Sequence, residues 1–253
     1  MGGFRSLALG HRPIRCRILA VYHADPGVVL PLLPKGCEPR LSAGRAVAVA
    51  CYTRLGGARL LRGRTVGTDH LAYRIAIERP ERSDRREGTW IVRRETSSWL
   101  EARCGAKLLR GEYGRATFRL CESPFGIELS VEGEEASGES FYLRAEASGM
   151  PRGSLFPTAA ALEEFLGHQG DVRPLDVFAP EADWIDPGES FVPEPLAVFE
   201  ERSSFFGDAR VFPPRSVVLD SAWRLVTRRL ALAEEPSRRV RMVLAPGQSS
   251  PAT

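Results

Sequence analysis

Lysine is nearly absent from this chain. The 35 basic residues include only Lys35 and Lys107, so 35 − 2 = 33 are arginines. The arginines are interleaved with 32 acidic residues, and the net charge is only +3. Proteins that bind nucleic acids carry a basic patch or stripe on one face, and no such stripe occurs here. The charge pattern therefore predicts a protein without a nucleic-acid partner.

Long hydrophobic runs and paired cysteines are also missing. No stretch approaches the roughly 20 apolar residues of a membrane helix, and the first residues show no apolar run typical of a secretion signal. The cysteine count is odd and contains no C-x-x-C pair: Cys16, Cys37, Cys51, Cys104 and Cys121. Such cysteines are typical of reduced thiols that act as small core residues. The sequence therefore predicts a cytoplasmic protein that does not enter a membrane.

The common cofactor and catalytic motifs do not occur. The chain has no G-x-G-x-x-G, P-loop, G-x-S-x-G or H-E-x-x-H pattern. Its four histidines, His11, His23, His70 and His168, show no metal-ligand spacing to a cysteine or an acid. We therefore expect neither a bound metal nor a cofactor.

Alternation of apolar and polar residues predicts about eight strands, of which residues 68–78 form the clearest. One face of this strand is apolar and should be core: Leu71, Tyr73, Ile75 and Ile77. His70 and Arg74 share the opposite face, so their side chains project the same way. In an open sheet that face would be solvent, and in a barrel it could line the lumen. The alternation alone leaves both arrangements open.

The strands follow one another at hairpin spacing, with short helices predicted at 25–33, before Gly105 and at 156–166. Trp99 and Leu100 are assigned to the apolar face of the middle helix, with Gly105 as its C′ residue. This order favours a mainly β (α+β) fold, an antiparallel curved or closed sheet with a few short helices outside. Residues 1–235 are predicted to form a single domain and residues 236–253 a disordered tail.

Four segments carry a family resemblance: CRILAVYHADPGVVLPLLPKGCEP, TDHLAYRIAIE, WIVRRETSSWLEARCGAKLLRGEYGRATF and SSFFGDARVFPPRSVVLDSA. Together they resemble the YqjF-like family of unknown function (DUF2071), a branch of the acetoacetate decarboxylase-like superfamily. The resemblance runs from about Arg15 to about Trp223. It implies a cone-shaped, largely antiparallel β-barrel with helices packed outside and a pocket inside.

The chemistry of that superfamily is not matched at its main positions. The decarboxylases form a Schiff base between a β-keto acid and a lysine in a G-[YF]-P-K-K turn. The corresponding turn here is either 105–108, which contains Lys107, or 111–114, which puts Glu112 or Tyr113 in that place. The position of the decarboxylases' pocket glutamate aligns with His70.

Three functional hypotheses follow. In the first, the lumen of the barrel binds a small organic acid without a Schiff base. Arg74 and Arg94 would hold its carboxylate, while His70, Glu112 and Tyr113 would serve acid–base chemistry. In the second, the barrel is filled by side chains and the protein is a non-catalytic binding or interaction module. In the third, Lys107 is the nucleophile of a Schiff-base lyase. A homo-oligomer is compatible with all three.

Overall fold

The computed structural model describes residues 14–59, 65–79, 86–108, 112–134, 140–148, 153–167 and 191–227. The strands are β1 (Ile14–Ala24), β2 (Glu38–Pro39), β3 (Leu41–Ser42), β4 (Arg45–Arg59), β5 (Thr65–Arg79), β6 (Arg86–Thr96), β7 (Glu112–Ser123), β8 (Gly126–Gly133), β9 (Ser140–Ala147), β10 (Phe191–Ser203) and β11 (Val217–Thr227). The helices are α1 (Pro26–Val29), which continues as a 3-10 turn (Leu30–Leu32), α2 (Trp99–Leu108) and α3 (Ala159–Gly167).

Nine of these strands form a closed ring in the order β4-β5-β6-β7-β8-β9-β10-β11-β1, and β1 pairs with β4 to complete it. The two-residue strands β2 and β3 pair with β5 and β4. The predicted β-rich barrel with a few short helices is therefore confirmed. The prediction of an antiparallel sheet fails at one joint, because β6 and β7 run parallel. Helix α2 makes the crossover that a parallel pair requires.

Alternation along the strands gives the barrel two separate apolar layers. The lumen is lined by one side of every strand in the ring, and the predicted core residues Leu71, Tyr73, Ile75 and Ile77 belong to it. The second layer lies on the outer surface, where Leu162 and Phe165 of α3 cover Trp223 and Leu225 of β11. The sheet is therefore buried on both faces beneath α3.

A β-bulge in β6 changes which residues face the lumen. The register against β5 shifts between Tyr73 and Arg74, which pair with Arg93 and Ile91. Strict alternation would place Arg94 on the same face as Trp90 and Val92. The extra residue of the bulge reverses this. Trp90 and Val92 pack against the lumen core, whereas Arg94 lies on the outer face.

Helix α2 differs from its predicted form. It continues past Gly105 to Leu108, so Gly105 is not its C′ residue and Lys107 lies within the helix. Its side chains from residue 104 onward are outside the described set. Trp99 and Leu100 are 58% and 61% exposed rather than core. Glu101, the next residue, instead turns towards the barrel wall.

Other predictions are confirmed in part. The helix predicted at 25–33 is present as α1 and its 3-10 turn, and Asp25 caps it by accepting a hydrogen bond from the amide of Gly27 at 3.0 Å. Helix α3 begins at Ala159 rather than residue 156. Cys16, Cys37 and Cys51 are buried thiols as expected, but Cys121 is exposed. The predicted tail at 236–253 lies outside the described residues. Within those residues, no helix is long and apolar enough to cross a membrane.

Candidate functional site

His70 and Arg74 lie on the outer face of β5, opposite the lumen core. Leu71 and Tyr73 point into the lumen, so their neighbours at even positions point away from it. This corrects the hypothesis that His70 and Arg74 line the interior. They are nevertheless not solvent-facing, because His70 is only 6% exposed. Both line a pocket on the outside of the barrel.

Three arginines from three strands line this outer pocket: Arg17 of β1, Arg74 of β5 and Arg94 of β6. The remaining lining residues are Ile14, Cys51, Thr53, Leu55, His70 and Ala72. Arg17 and Arg94 are 8% and 6% exposed. The pocket has a volume of about 30 Å³, enough for roughly two water molecules at about 10–15 Å³ each. It is therefore a small, strongly cationic recess.

Cys51 lies at the wall of this recess. The Nε–H of Arg17 donates a hydrogen bond to its Sγ at 3.4 Å, and the hydroxyl of Thr53 lies 3.6 Å from the same sulfur. Burial raises the pKa of the thiol. The charges of Arg17 and Arg74 and the two hydrogen bonds lower it by more, so that the pKa is about 7. A cationic setting of this kind favours the thiolate near neutral pH.

His70 is held at the side of the pocket by the start of α2. Its Nε2 lies 2.8 Å from the hydroxyl of Thr68 and 3.3 Å from Oε2 of Glu101. Glu101 lies in the first turn of α2, where the hydroxyl of Ser98 caps the helix by accepting a hydrogen bond from the amide of Glu101 at 3.3 Å. The Thr96 hydroxyl donates to the same carboxylate at 3.1 Å. A carboxylate therefore lies beside the imidazole of His70.

Two other residues proposed from the sequence, Tyr113 and Glu112, lie on opposite faces of the barrel wall. The guanidinium of Arg94 lies 5.6 Å from the ring of Tyr113, so Tyr113 adjoins the outer pocket. Glu112 instead reaches Arg93, at 3.6 Å, and its side chain is 78% exposed. Arg93 also pairs with Glu95 at 2.8 Å, and Glu95 is fully buried in the lumen. The structure therefore does not bring Glu112 together with His70.

The lumen holds its own polar pair among aromatic rings. The hydroxyl of Tyr22 donates a 2.5 Å hydrogen bond to Glu201. The ring of Tyr22 lies 4.3 Å from that of Phe206, and Tyr73 stacks on Phe205 at 4.4 Å. Burial, then the charge of Glu201, raises the pKa of Tyr22 well above its usual value. Tyr22 therefore remains a neutral donor.

Arg17 and Cys51 were not singled out by sequence reasoning. A signal for Arg17 was present, because it shares a strand face with Leu19 and Val21, and a charge on an apolar strand face needs a partner. Cys51 was predicted to be a small core residue. The pairing of β1 with β4, which sets Leu19 opposite Cys51, brings the two together. Among the described residues, no cluster of three or more His, Cys, Asp or Glu side chains could hold a metal ion.

Comparisons with known proteins give structural likeness only. No family model matches the chain, and no curated protein matches it. The enduracididine biosynthesis enzyme MppR in complex with pyruvate is 12% identical, with 83% of this chain and 84% of that chain covered at a TM-score of 0.48. The acetoacetate decarboxylase of Legionella pneumophila is 9% identical, with 85% and 83% covered at 0.47. An acetoacetate decarboxylase-like enzyme from Sphingomonas wittichii is 11% identical, with 83% and 88% covered at 0.44.

The class that the fold defines is a closed, mixed β-barrel of nine strands with a few short helices. The solved structures that it resembles include acetoacetate decarboxylase-like enzymes. At these identities and TM-scores the likeness carries no argument about activity. Membership of the YqjF-like family stays a prediction.

Proposed function

We propose that the protein binds a small organic acid through its carboxylate, and that the binding site is the outer pocket rather than the lumen. The observation that carries this proposal is the convergence of Arg17, Arg74 and Arg94 on one small recess. A guanidinium presents a planar fork of donors that matches a carboxylate. Three such groups lining one recess make it attractive to an anion.

The size of the pocket limits what enters it. A volume of about 30 Å³ accommodates a carboxylate head group better than a whole metabolite. We therefore place the head group of the acid among the arginines and the rest of the molecule in the mouth of the pocket. Tyr113, next to Arg94, is positioned to contact that outer part.

His70 gives the pocket a group that can move a proton. It lines the same recess as the arginines, and a histidine changes charge near neutral pH. Glu101 at 3.3 Å can hold the imidazole in place and share its proton. The proposed function is therefore a small-acid binding protein whose site has one acid–base group. A cytoplasmic setting belongs to the same proposal, because buried free thiols persist in a reducing compartment.

A Schiff-base reaction at Lys107 is the less supported alternative. Lys107 lies inside α2 and not in a glycine-proline turn of the decarboxylase type. Borohydride reduction in the presence of a β-keto acid, followed by intact-mass measurement, is expected to leave Lys107 unlabelled. A covalent adduct on Lys107 would instead support the lyase.

The arginines of the outer pocket can be tested by substitution. Arg74→Gln and Arg94→Gln should each weaken binding of formate about tenfold or more, because a hydrogen bond to a charged group contributes roughly 1.5–3 kcal/mol. Binding is measured from the dependence of the melting temperature on formate concentration at constant ionic strength. Formamide, which has the same size without the charge, should give no shift.

Arg119→Gln is the matched control, because Arg119 is an exposed arginine on β7 that does not line the pocket. It should bind formate as the unmodified protein does. Equal formate binding by Arg74→Gln, Arg94→Gln and Arg119→Gln would rule out the outer pocket. An equal response to formamide would rule out recognition of the carboxylate.

A further inference from the structure

Arg17 and Cys51 form the inner wall of the outer pocket and depend on each other. Arg17 is 8% exposed and Cys51 is 1% exposed. Among the residues that the structure describes, no carboxylate lies within ion-pair distance of Arg17, and its side chain donates one hydrogen bond, from Nε to Sγ of Cys51. A buried guanidinium needs a compensating partner. The sulfur of Cys51 fills that role.

A second buried thiol in the same chain shows what the arginines contribute. Cys16 faces the lumen, and its Sγ lies 3.4 Å from Oε1 of Glu122. Burial and then the Glu122 charge raise the pKa of Cys16 to about 12. Cys51 is buried more deeply, yet its pKa is about 7 because Arg17 and Arg74 outweigh burial. Close to neutral pH, Cys51 can therefore carry either a proton or a negative charge.

We infer that the pocket takes up its anionic ligand together with a proton, and that Cys51 is the residue that receives this proton. This inference rests on the proposed function. A carboxylate between Arg17 and Arg74 would share both cations with the thiolate, and two like charges in so small a recess repel strongly. The proton comes from solvent and binds to Sγ, so the pocket gains the equivalent of one neutral acid molecule. No covalent bond between protein and ligand forms or breaks.

The charged groups around Cys51 come from four elements. Arg17 belongs to β1, Arg74 and His70 to β5, and Arg94 to β6, while Glu101 of α2 adjoins His70. Arginines do not lose their charge in proteins. His70 also lines this pocket, and histidine is a residue type that can change charge near neutral pH, so the test must separate its effect from that of Cys51.

Cys51→Ser provides the separation, because a hydroxyl can still accept the hydrogen bond from Arg17 but does not ionise in this range. With formate as the probe, binding to the unmodified protein should weaken about tenfold between pH 6 and pH 8, as one proton per ligand becomes harder to acquire. Cys51→Ser should match the unmodified protein at pH 6 and bind about tenfold more tightly at pH 8. Removal of a side chain from the pocket would then improve binding, which a structural role alone does not produce.

Two further variants complete the experiment. Cys121→Ser removes an exposed thiol elsewhere and should keep the pH profile of the unmodified protein. His70→Gln in the Cys51→Ser background should abolish any pH dependence that remains.

The outcomes separate the two proposals. If formate binds and Arg74→Gln weakens it, but Cys51→Ser shows the same fall with pH as the unmodified protein, the proton-uptake inference is wrong and the proposed function stands. If the unmodified protein does not bind formate even at pH 6, both are wrong.

Discussion

Single residues in this protein acquire their properties from the face of the barrel wall on which they lie. Cys16 and Cys51 are both buried, but a carboxylate adjoins the first and arginines adjoin the second. The same contrast holds for carboxylates. Glu101 on the outside is 27% exposed and can pair with His70, whereas Glu201 faces the lumen and accepts from a phenol. The neighbours of each of these groups therefore depend on the face of the barrel wall on which it lies.

Glu201 gives a prediction about stability and pH. Burial raises the pKa of Glu201, and the hydrogen bond from Tyr22 opposes this only in part. The carboxyl therefore ionises at a higher pH in the folded protein than in the unfolded chain. Its contribution to stability is present below its unfolded pKa and is lost as the pH rises through its folded pKa. The side chain of Glu201→Gln cannot ionise but can still accept a hydrogen bond from Tyr22. The free energy of unfolding of the unmodified protein minus that of Glu201→Gln should therefore be larger at pH 4 than at pH 7.

Urea denaturation of both proteins at the two pH values measures this difference. Glu132→Gln, an exposed position on β8, serves as the control and should show a smaller dependence. An advantage of the unmodified protein over Glu201→Gln that grows towards neutral pH would contradict the assignment.

At the scale of elements, the two longer helices interact with the barrel in different ways. Helix α3 buries Leu162 and Phe165 against the outer face of the sheet. Helix α2 leaves Trp99 and Leu100 largely in solvent and contributes Glu101 to the side of the outer pocket. One helix therefore completes a core, and the other positions a polar group.

This difference predicts unequal effects from the same substitution. Leu162→Ala should destabilise the protein by about 3 kcal/mol, because Leu162 is 1% exposed and its removal leaves a cavity under α3. Leu100→Ala, at a residue 61% exposed, should change stability by no more than about 0.5 kcal/mol. Urea denaturation gives both values. A large loss for Leu100→Ala would mean that α2 packs through that residue after all.

For the whole molecule, closure of the ring depends on its shortest joint. The parallel pairing of β6 with β7 spans only Arg93 to Thr96, whereas every antiparallel joint of the ring has six or more paired positions. At this joint, Gly114 lies opposite Glu95, and an added Cβ there would overlap the Glu95 carboxylate. A side chain at position 114 would therefore have to displace the buried carboxylate of Glu95.

Gly114→Ala should consequently destabilise the protein by roughly 1–3 kcal/mol, through overpacking against a buried side chain. Gly27→Ala is the matched control, since its added Cβ would meet Asp25 at an ordinary 3.5 Å, and it should be nearly neutral. The loss from Gly114→Ala should shrink in a Glu95→Ala background, because the two positions are coupled. An unchanged loss in that background would place the strain elsewhere.

Much of the barrel could be predicted from the sequence because its strands alternate strictly where they are regular. The core face of β5 follows from apolar residues at every second position. The bulge in β6 could not be predicted, since one extra residue leaves no mark on composition, and Arg94 was therefore placed on the wrong face. The exposure of Trp99 depends on how α2 rotates on the sheet, which its periodicity does not determine.

The candidate site could be predicted only in part. The sequence indicated three titratable or cationic groups on predicted strands: His70, Arg74 and Arg94. All three line one pocket. Arg17 and Cys51 join them only through the register of β1 against β4, a pairing between distant segments that local alternation does not specify. Local patterns therefore suggested which residue types matter, while strand register determined which of them meet.

The single parallel joint has a topological consequence. Around any closed ring of strands, direction must return to its starting value after one circuit, so the number of direction reversals is even. This ring has nine joints, an odd number, and a barrel made only of hairpin-like reversals could not close. One joint without a reversal is therefore a matter of parity, and α2 is the connection that makes it possible. A barrel of this kind without a crossover connection would need one strand more or one strand fewer.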